Sequence, residues 1–318
     1  MFRLRLVPDH TEIKFMKGRI AGLVVSAVLS LASVVLFFHP GLNYGIDFRG
    51  GILVEVRTQG AADFAAMRSK LSALGLGEVA LQQFGAPSEV LIRLEQQGGD
   101  ESNQQKAVDQ VRQTLAADFP GSEVRRVEAV GASVSGELFR DGMIAVGLAL
   151  VAMLIYIWFR FEWQFGVGAV VTLILDVTKT VGFFAITGMQ FNLTSVAAVL
   201  TIMGYSINDK VVVYDRMREN LRKFKSMPLR QLIDLSINET LNRTINTSLT
   251  TFLATLPLAL IARGSVQDFA FVVLFGIIVG TSSSIFIAAP ILLFLGENRL
   301  RRDRVAAPNA AEKPAGAD

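Results

Sequence analysis

A carboxylate inside an apolar stretch is the feature that most constrains this chain. Residues 192–220 read NLTSVAAVLTIMGYSINDKVVVYDRMREN, and the first two-thirds of the stretch is long and apolar enough to cross a bilayer. Asp209 lies within that span. Holding an ionised side chain there costs roughly 3 kcal/mol or more, so such a residue normally has a use for its charge. The first expectation for Asp209 is a proton or ion site, and the alternative is a static buried ion pair.

The whole chain has the composition of a polytopic membrane protein. Hydrophobic residues make up 51% of the 318, and the mean hydropathy is +0.44. Six stretches reach the roughly 20 residues that a transmembrane helix needs. They are residues 20–38, 142–159, 165–187, 193–214, 245–262 and 269–295, the last with an expected bend at Pro290.

Basic residues set the expected orientation. They cluster in residues 1–19, in the connection between the fourth and fifth spans, and in residues 299–318, whereas the turn at 188–191 has no charge. The positive-inside rule then places both termini in the cytoplasm. Because the clusters alternate with the spans, topology explains them better than binding to nucleic acid, and we expect no nucleic-acid partner. The Ala/Pro-rich tail is expected to be disordered.

The chain thus divides into a cytoplasmic N-terminus (1–19), a first span (20–38), a segment on the outer side of the membrane (39–139), spans two to six (140–298) and a cytoplasmic tail (299–318). The outer segment has the pattern βαββαβ, typical of a small ferredoxin-like α+β domain. Its predicted strands are residues 51–56, 78–84, 89–95 and 123–130, and its helices are 61–74 and 104–118, the second following a polar linker at 96–103.

No motif for bond chemistry is present in the sequence. It has no phosphate-binding G-x-x-x-x-G-K-[S/T], no H-E-x-x-H and no G-x-S-x-G. It has no cysteine and only two histidines, which do not suggest a metal site. We therefore expect no enzyme activity, metal or cofactor, and an external energy source. The membrane potential supplies about 2.3 kcal/mol per charge per 100 mV, and the proton is the commonest carrier.

Four motifs resemble one family. They are NYGIDFRGG (43–51), GYSINDKVVVYDRMREN (204–220), NETLNRTINTSLTT (238–251) and GTSSSIFIAAP (280–290). With the six-span plan, they are similar to the SecF family of protein-export membrane subunits, which belongs to the resistance–nodulation–division superfamily. The resemblance covers about residues 13–298.

The resemblance implies half of a resistance–nodulation–division unit in the bacterial inner membrane. The implied partners are SecD, the SecYEG channel, the translocating preprotein, membrane lipid and, functionally, the SecA ATPase. The implied work is proton-driven assistance to preproteins on the outer side after SecA has pushed them through the channel. Six spans are half of the twelve usual for the superfamily, which fits a heterodimer with SecD.

The resemblance also implies the site residues. An aspartate of the fourth span and an arginine at the start of the fifth are the functional charges, and they fall on Asp209, preceded by Asn208, and on Arg243. Asp176 and Lys179 of the third span are weaker candidates for the same proton-coupling site. The motif at the outer face contributes Gly45, Asp47, Phe48, Gly50 and Gly51.

This chain departs from the family pattern in the third and fourth spans. Leu175 stands where many relatives have a histidine before Asp176, and Lys179 and Lys210 stand where relatives are often uncharged. From the residues alone, Asp176 and Lys179 are three positions apart on one helix and are able simply to neutralise each other. Lys210 is expected to extend toward the inner surface.

Position along the helices predicts how the main charges meet. At about 1.5 Å per residue, Asp209 lies about 24 Å from the outer end of its span, and Arg243 begins the next span from the inner side. We expect the two to approach each other, so that protonation of Asp209 weakens its hold on Arg243.

Two rival interpretations are a small efflux transporter and a purely structural membrane scaffold. Asp47 is either a helix cap or a contact residue, and the glycines serve a tight turn or a docking surface.

Overall fold

The computed structural model describes residues 8, 11–83, 85–97 and 101–295. The predicted tail at 299–318, residue 84 of the second predicted strand and residues 98–100 of the predicted linker lie outside these ranges. In chain order the elements are a 3₁₀ turn Phe15–Lys17, α1 Arg19–Phe38, β1 Asn43–Tyr44, α2 Ile46–Arg49, β2 Gly51–Arg57, α3 Phe64–Ser72, β3 Val79–Gln83, β4 Glu89–Leu94, α4 Glu101–Asp118, β5 Glu123–Val130, α5 Ala132–Arg160, α6 Trp163–Thr187, β6 Gln190–Phe191, α7 Leu193–Lys223, α8 Leu229–Ile261, α9 Ser265–Ser283, a π-helical stretch Ser284–Ala288 and α10 Ala289–Phe294.

Six helices of the described residues are long and apolar enough to cross a membrane, as predicted. They are α1, α5, α6, α7, α8 and the continuous helix Ser265–Phe294 formed by α9, the π-helical stretch and α10. The central helices α6, α7 and α9 are about half buried by the rest of the chain. By contrast, only 11–17% of the apolar windows of α1, α5 and α8 is buried. The latter three therefore form the edges of the bundle.

Glycines let the helices of the bundle approach closely. A Cβ on Gly276 of α9 would collide with the side chain of Ile202 of α7, and one on Gly182 of α6 would collide with Ser33 of α1. Small residues at such crossings are the usual means of helix association in a membrane, where lipid offers no hydrophobic driving force.

The sixth span is irregular just before Pro290. Pro290 lies in the first turn of α10 and is preceded by the π-helical stretch Ser284–Ala288. Proline has no N–H to donate and its ring collides with the carbonyl four residues earlier, so the preceding turn widens. The expected bend at Pro290 is thus a π-helical segment that ends at the proline.

The helix of the fifth span starts earlier than its apolar part. The sequence pattern placed the span at residues 245–262, and α8 begins at Leu229. Leu232, Ile233 and Ile237 are at most 1% exposed, because they pack on the other helices and extend the helix by four turns. Arg243 therefore lies in the middle of α8, directly before the apolar part of that helix, and its place at the start of the membrane span stays a prediction.

The α+β domain, residues 51–130, is inserted between α1 and α5. Its four strands form an antiparallel sheet in the order β3-β4-β2-β5. Ile52, Val54 and Val56 alternate along β2 and are buried with residues of α3 and α4, which cover one face of the sheet. The order and the single layer of helices confirm the predicted ferredoxin-like fold. We call the end of the bundle next to this domain the domain end. The N-termini of α7 and α9 lie at the domain end.

Candidate functional site

The glycine motif at residues 45–51 joins the α+β domain to the bundle. Asp47 Oδ2 accepts a hydrogen bond from the backbone N–H of Leu193 at 2.9 Å, so the carboxylate caps the N-terminus of α7. β1 pairs in parallel with β6, with Asn43 opposite Gln190. Phe48 packs against Phe139 and Phe191, with ring centroids 5.5 and 5.7 Å apart. Asp47 is thus a cap, of α7 and not of its own short helix.

Backbone conformation and close contacts explain why glycine occupies three positions of the motif. Gly50 and Gly51 have φ of 73° and 115°, which favour glycine, and a Cβ on Gly51 would lie 2.5 Å from the carbonyl oxygen of Leu94. A Cβ on Gly45 would lie 3.0 Å from that of Asn192. The tight approach explains these residues, and a docking role of the motif stays a prediction.

A second connection ties the α+β domain to the turn between α8 and α9. Arg263 of that turn donates to Glu89 Oε1, and Arg125 lies 3.6 Å from the same oxygen. Glu89 is only 2% exposed, although the Arg263 side chain is half exposed. A buried carboxylate held by two guanidinium groups is expected to stabilise the domain against the bundle.

Replacing Arg263 by alanine should loosen this connection. We expect faster amide hydrogen exchange in the α8–α9 turn and at the start of β4, because loss of a partner to a buried charge costs about 1–3 kcal/mol locally. Lys70→Ala is the matched control, since Lys70 pairs with Asp118 at 2.9 Å on the exposed surface. Equal exchange in the wild type and in Arg263→Ala would contradict a role for the contact.

Asp209 is buried in the bundle between α7, α8 and α9. It is 5% exposed, and its Oδ1 accepts a hydrogen bond from the Thr244 hydroxyl of α8 at 2.8 Å. The Ser284 hydroxyl faces the same carboxylate, while donating to the carbonyl of Gly280 at 2.9 Å. Within the described part of the chain, Asp209 Oδ2 has no hydrogen-bond partner. One carboxylate oxygen is therefore available to hold a proton.

Arg243 does not pair with Asp209 in this structure. Its side chain is exposed, and in the described ranges no nitrogen of Arg243 lies within 4.0 Å of the carboxylate. The two residues thus form no ion pair here, although Arg243 is near enough for its charge to act on Asp209. Thr244, the next residue of α8, contacts Asp209, and Arg243 is exposed beside it. Asn208 is also exposed.

Exposed residues of α7 and α8, most of them polar, form one face of the bundle. We call this the α7–α8 polar face. On α7 its exposed members recur at helical spacing, and on α8 they include the arginine. They are the small residues Ala197 and Gly204 and the polar residues Thr201 and Asn208 of α7, and the polar residues Asn242, Arg243, Asn246, Thr247 and Thr250 of α8. An arginine and three asparagines facing hydrocarbon would be costly, so this face needs a protein or water cover.

Asp176 of α6 is the centre of a second buried cluster. It is fully buried, and its Oδ2 accepts hydrogen bonds from Lys210 Nζ at 2.9 Å, from the Ser206 hydroxyl at 2.7 Å and from the Ser283 hydroxyl at 2.7 Å. Lys179 Nζ lies 3.5 Å from Asp176 Oδ1. The cluster joins α6, α7 and α9.

Lys210 is only 1% exposed, so the expectation that it extends toward the inner surface is wrong. The physical reason is that Asp176 offers it a partner within reach across α6 and α7, which a single helix pattern does not reveal. Lys179 contacts Asp176 as the spacing suggested, but shares it with Lys210. With Asp209, the bundle holds two buried acids and two buried lysines.

Hydroxyl residues of the site were missed by the sequence reasoning. Thr244 touches one acid, Ser206 and Ser283 touch the other, and Ser284 next to Ser283 faces the first. Ser283, the last residue of α9, and Ser284, the first residue of the π-helical stretch, therefore reach the two separate acids. The motifs GYSINDKVVVYDRMREN, NETLNRTINTSLTT and GTSSSIFIAAP contain these residues, and their hydroxyls at membrane depth were the available signal.

Comparisons with known proteins agree on one family. The family described as "Protein export membrane protein SecD/SecF, C-terminal" matches residues 110–298, and "SecD/SecF GG Motif" matches residues 35–62. "Protein translocase subunit SecF" of Rickettsia bellii (strain OSU 85-389) is 44% identical over 303 residues, covering 95% of this chain and 99% of the relative. The subunit of Rickettsia rickettsii (strain Sheila Smith) is 45% identical over 293 residues, covering 92% and 94%.

Solved structures give the same result. The crystal structure of SecDF, a translocon-associated membrane protein from Thermus thermophilus, aligns with a TM-score of 0.82 at 32% identity, covering 91% of this chain. SecDF in a super-membrane-facing form aligns with a TM-score of 0.64 at 30% identity, covering 94% of this chain. This chain spans only 39% and 40% of those SecDF chains. It is a multi-pass membrane protein, and it belongs to the SecF family of protein translocase subunits.

Proposed function

We propose that this chain is the SecF-type half of a proton-driven motor that assists preprotein translocation. In this proposal SecD supplies the other half, and the pair uses the proton motive force on preproteins that SecA has driven through SecYEG. The proton is the coupling ion, and neither a cofactor nor a nucleic acid takes part. The chain lies in the bacterial inner membrane with the α+β domain in the periplasm and both termini in the cytoplasm.

The α7–α8 polar face is the observation that carries this proposal. It places Arg243 on the outside of the bundle directly beside Thr244, whose hydroxyl holds the buried Asp209. A polar face of this kind needs a cover, and this chain aligns with only 39% of a longer SecDF chain. A second six-helix half packed on the face would enclose both charges in a site between the halves.

Asp209 and Arg243 then provide the chemistry. A carboxyl group in a dry site is stable as the neutral acid, whereas approach of a guanidinium stabilises the carboxylate. A partner packed on the polar face excludes lipid from Arg243 and brings its side chain toward Asp209. Loading and release of a proton at Asp209 would change the attraction between α7 and α8. In this proposal Asn208 lines the interface with SecD, and Asp176 with Lys179 supports the acid site from the far side of α7.

The connections at the domain end give a route from that change to the outside. Asp47 caps α7, and Arg263 at the end of α8 holds Glu89 of the α+β domain. A shift of α7 against α8 therefore pulls on the domain at two separate points. We propose that this moves the domain, which in turn acts on the preprotein.

Site-specific crosslinking tests the partner. A photo-crosslinking residue at Asn246, on the polar face, should give a product with the SecD-type partner in native membranes. The same residue at Leu31, on the exposed apolar face of α1, is the matched control and should give none or far less. Absence of any partner product from position 246, with α8 intact, would contradict the proposed heterodimer.

A further inference from the structure

The ammonium group of Lys210 sits in a cage of oxygens. Its Nζ lies 2.9 Å from Asp176 Oδ2, 3.2 Å from the Ser283 hydroxyl and 3.3 Å from the carbonyl oxygen of Ser206, and it also contacts the Ser206 hydroxyl. These four oxygens come from three helices, and the lysine is 1% exposed. A single positive charge is thus held by one carboxylate, two hydroxyls and one carbonyl.

This set of donors is what a hard metal cation prefers. Carboxylate, carbonyl and hydroxyl oxygens bind such ions, whereas nitrogen and sulfur do not contribute here. Coupling-ion sites in membrane transporters are often formed where a helix is broken in the membrane. Ser283 is the last residue before the π-helical stretch Ser284–Ala288, so one wall of the cage lies at such an irregularity.

Neutralisation of Asp176 alone does not explain Lys210. Lys179, 3.5 Å from Asp176 Oδ1, is a second cation on the same acid and lies on the same helix. With Lys179 present, Asp176 would have a counter-charge even without Lys210. The additional role of Lys210 is to fill the oxygen cage on the Oδ2 side of Asp176 with a group that has the same charge as Na⁺.

We infer that Lys210 is a tethered cation that occupies a sodium-type site between α6, α7 and α9, and so prevents Na⁺ from binding there. It is a specificity-determining residue: with the cage filled, Asp209 is, of the two aspartates buried in the described part of the bundle, the one left open to a coupling ion, and that ion is the proton. The inference rests on the proposed proton coupling at Asp209, but the cage is a separate site with its own test.

Shortening Lys210 should open the site. The full chain is purified in detergent at pH 8, and Na⁺ binding is measured by equilibrium dialysis with ²²Na⁺ at constant ionic strength. Wild type should bind no Na⁺ saturably, and Lys210→Ala should bind about one per chain. The measurement needs no ion flux, so its outcome is independent of whether Asp209 couples to protons.

Two further variants locate the binding. Lys210→Met removes the charge but refills the space with an apolar chain, and Asp176→Asn/Lys210→Ala removes the charged ligand. Both should bind Na⁺ at least about tenfold more weakly than Lys210→Ala. Three results would overturn the inference: saturable Na⁺ binding by wild type that Asp176→Asn abolishes, no binding by a Lys210→Ala protein whose circular dichroism is native, or equal binding by the Ala and Met variants.

Discussion

Replacing Asp209 by asparagine is expected to abolish the stimulation of preprotein export by the proton motive force. The amide has the size of the carboxyl group and retains an oxygen to accept the hydrogen bond from Thr244, so the packing between α7 and α8 should remain. It cannot take up or release a proton at physiological pH, so the cycle of attraction to Arg243 is lost. Export is measured as preprotein protected inside inverted membrane vesicles, with and without a proton motive force.

The matched control is Asp215→Asn, the same substitution further along α7. Asp215 is partly exposed and pairs with Arg160 at 2.6 Å, and an ion pair of this kind contributes about 0–1 kcal/mol. It should leave export unchanged. Both variants should reach wild-type levels in the membrane and bind the partner. Full stimulation in Asp209→Asn would favour the structural scaffold, the rival interpretation that predicts tolerance of neutral residues.

The second large effect is expected at Asp176, in stability. Asparagine at this position leaves Lys179 and Lys210 buried without an acid, and breaking a buried pair by removing one partner costs about 3–5 kcal/mol. Lys210→Met should cost less, because Lys179 remains on Asp176. The double variant Asp176→Asn/Lys210→Met should be more stable than Asp176→Asn alone, because it removes one of the two unpaired ammonium groups.

These free energies of unfolding are measured in mixed micelles titrated with denaturing detergent. Asp118→Asn is the control, since it breaks an ion pair of the same 2.9 Å length on the exposed surface of the α+β domain and should change stability by at most about 1 kcal/mol. Additive effects of the two substitutions at 176 and 210 would contradict the coupling of these residues in one cluster.

The helices of the bundle could be predicted from sequence because each is a local property. Twenty apolar residues specify a span wherever the chain goes next, and the βαββαβ order follows from alternating patterns and turn residues. The start of α8 could not be read this way. Residues 229–241 contain no continuous apolar run. Leu232, Ile233 and Ile237 recur at helical spacing and pack in the apolar core of the bundle.

The buried acids of the candidate site could be predicted from the sequence, but their partners could not. The cost of a charge in an apolar span identifies Asp209 and Asp176 without any structure. Their partners depend on how helices rotate against one another. A rotation of one residue puts Thr244 on the acid and leaves Arg243 outside, and the meeting of Lys210 with Asp176 requires the packing of α6 on α7.

The two acids are also connected through the helices that they share, and only the structure reveals this connection. α7 contributes both Asp209 and Lys210. The sixth span contributes Ser283 of α9 to one acid and the neighbouring Ser284 of the π-helical stretch to the other. The Asp176 cluster fixes α6, α7 and α9 to one another, whereas α8 meets Asp209 through the single hydroxyl of Thr244. Protonation at Asp209 should therefore move α8 against a rigid set of three helices.

Proton flux through the reconstituted complex of this chain with its partner tests the central claim most directly. Liposomes carrying a pH-sensitive dye and an imposed pH gradient report the flux for wild type, Asp209→Asn and Asp215→Asn at equal protein content. The account predicts flux in wild type and Asp215→Asn and none above empty liposomes in Asp209→Asn. Equal flux in all three proteins would show that protons do not pass by way of Asp209.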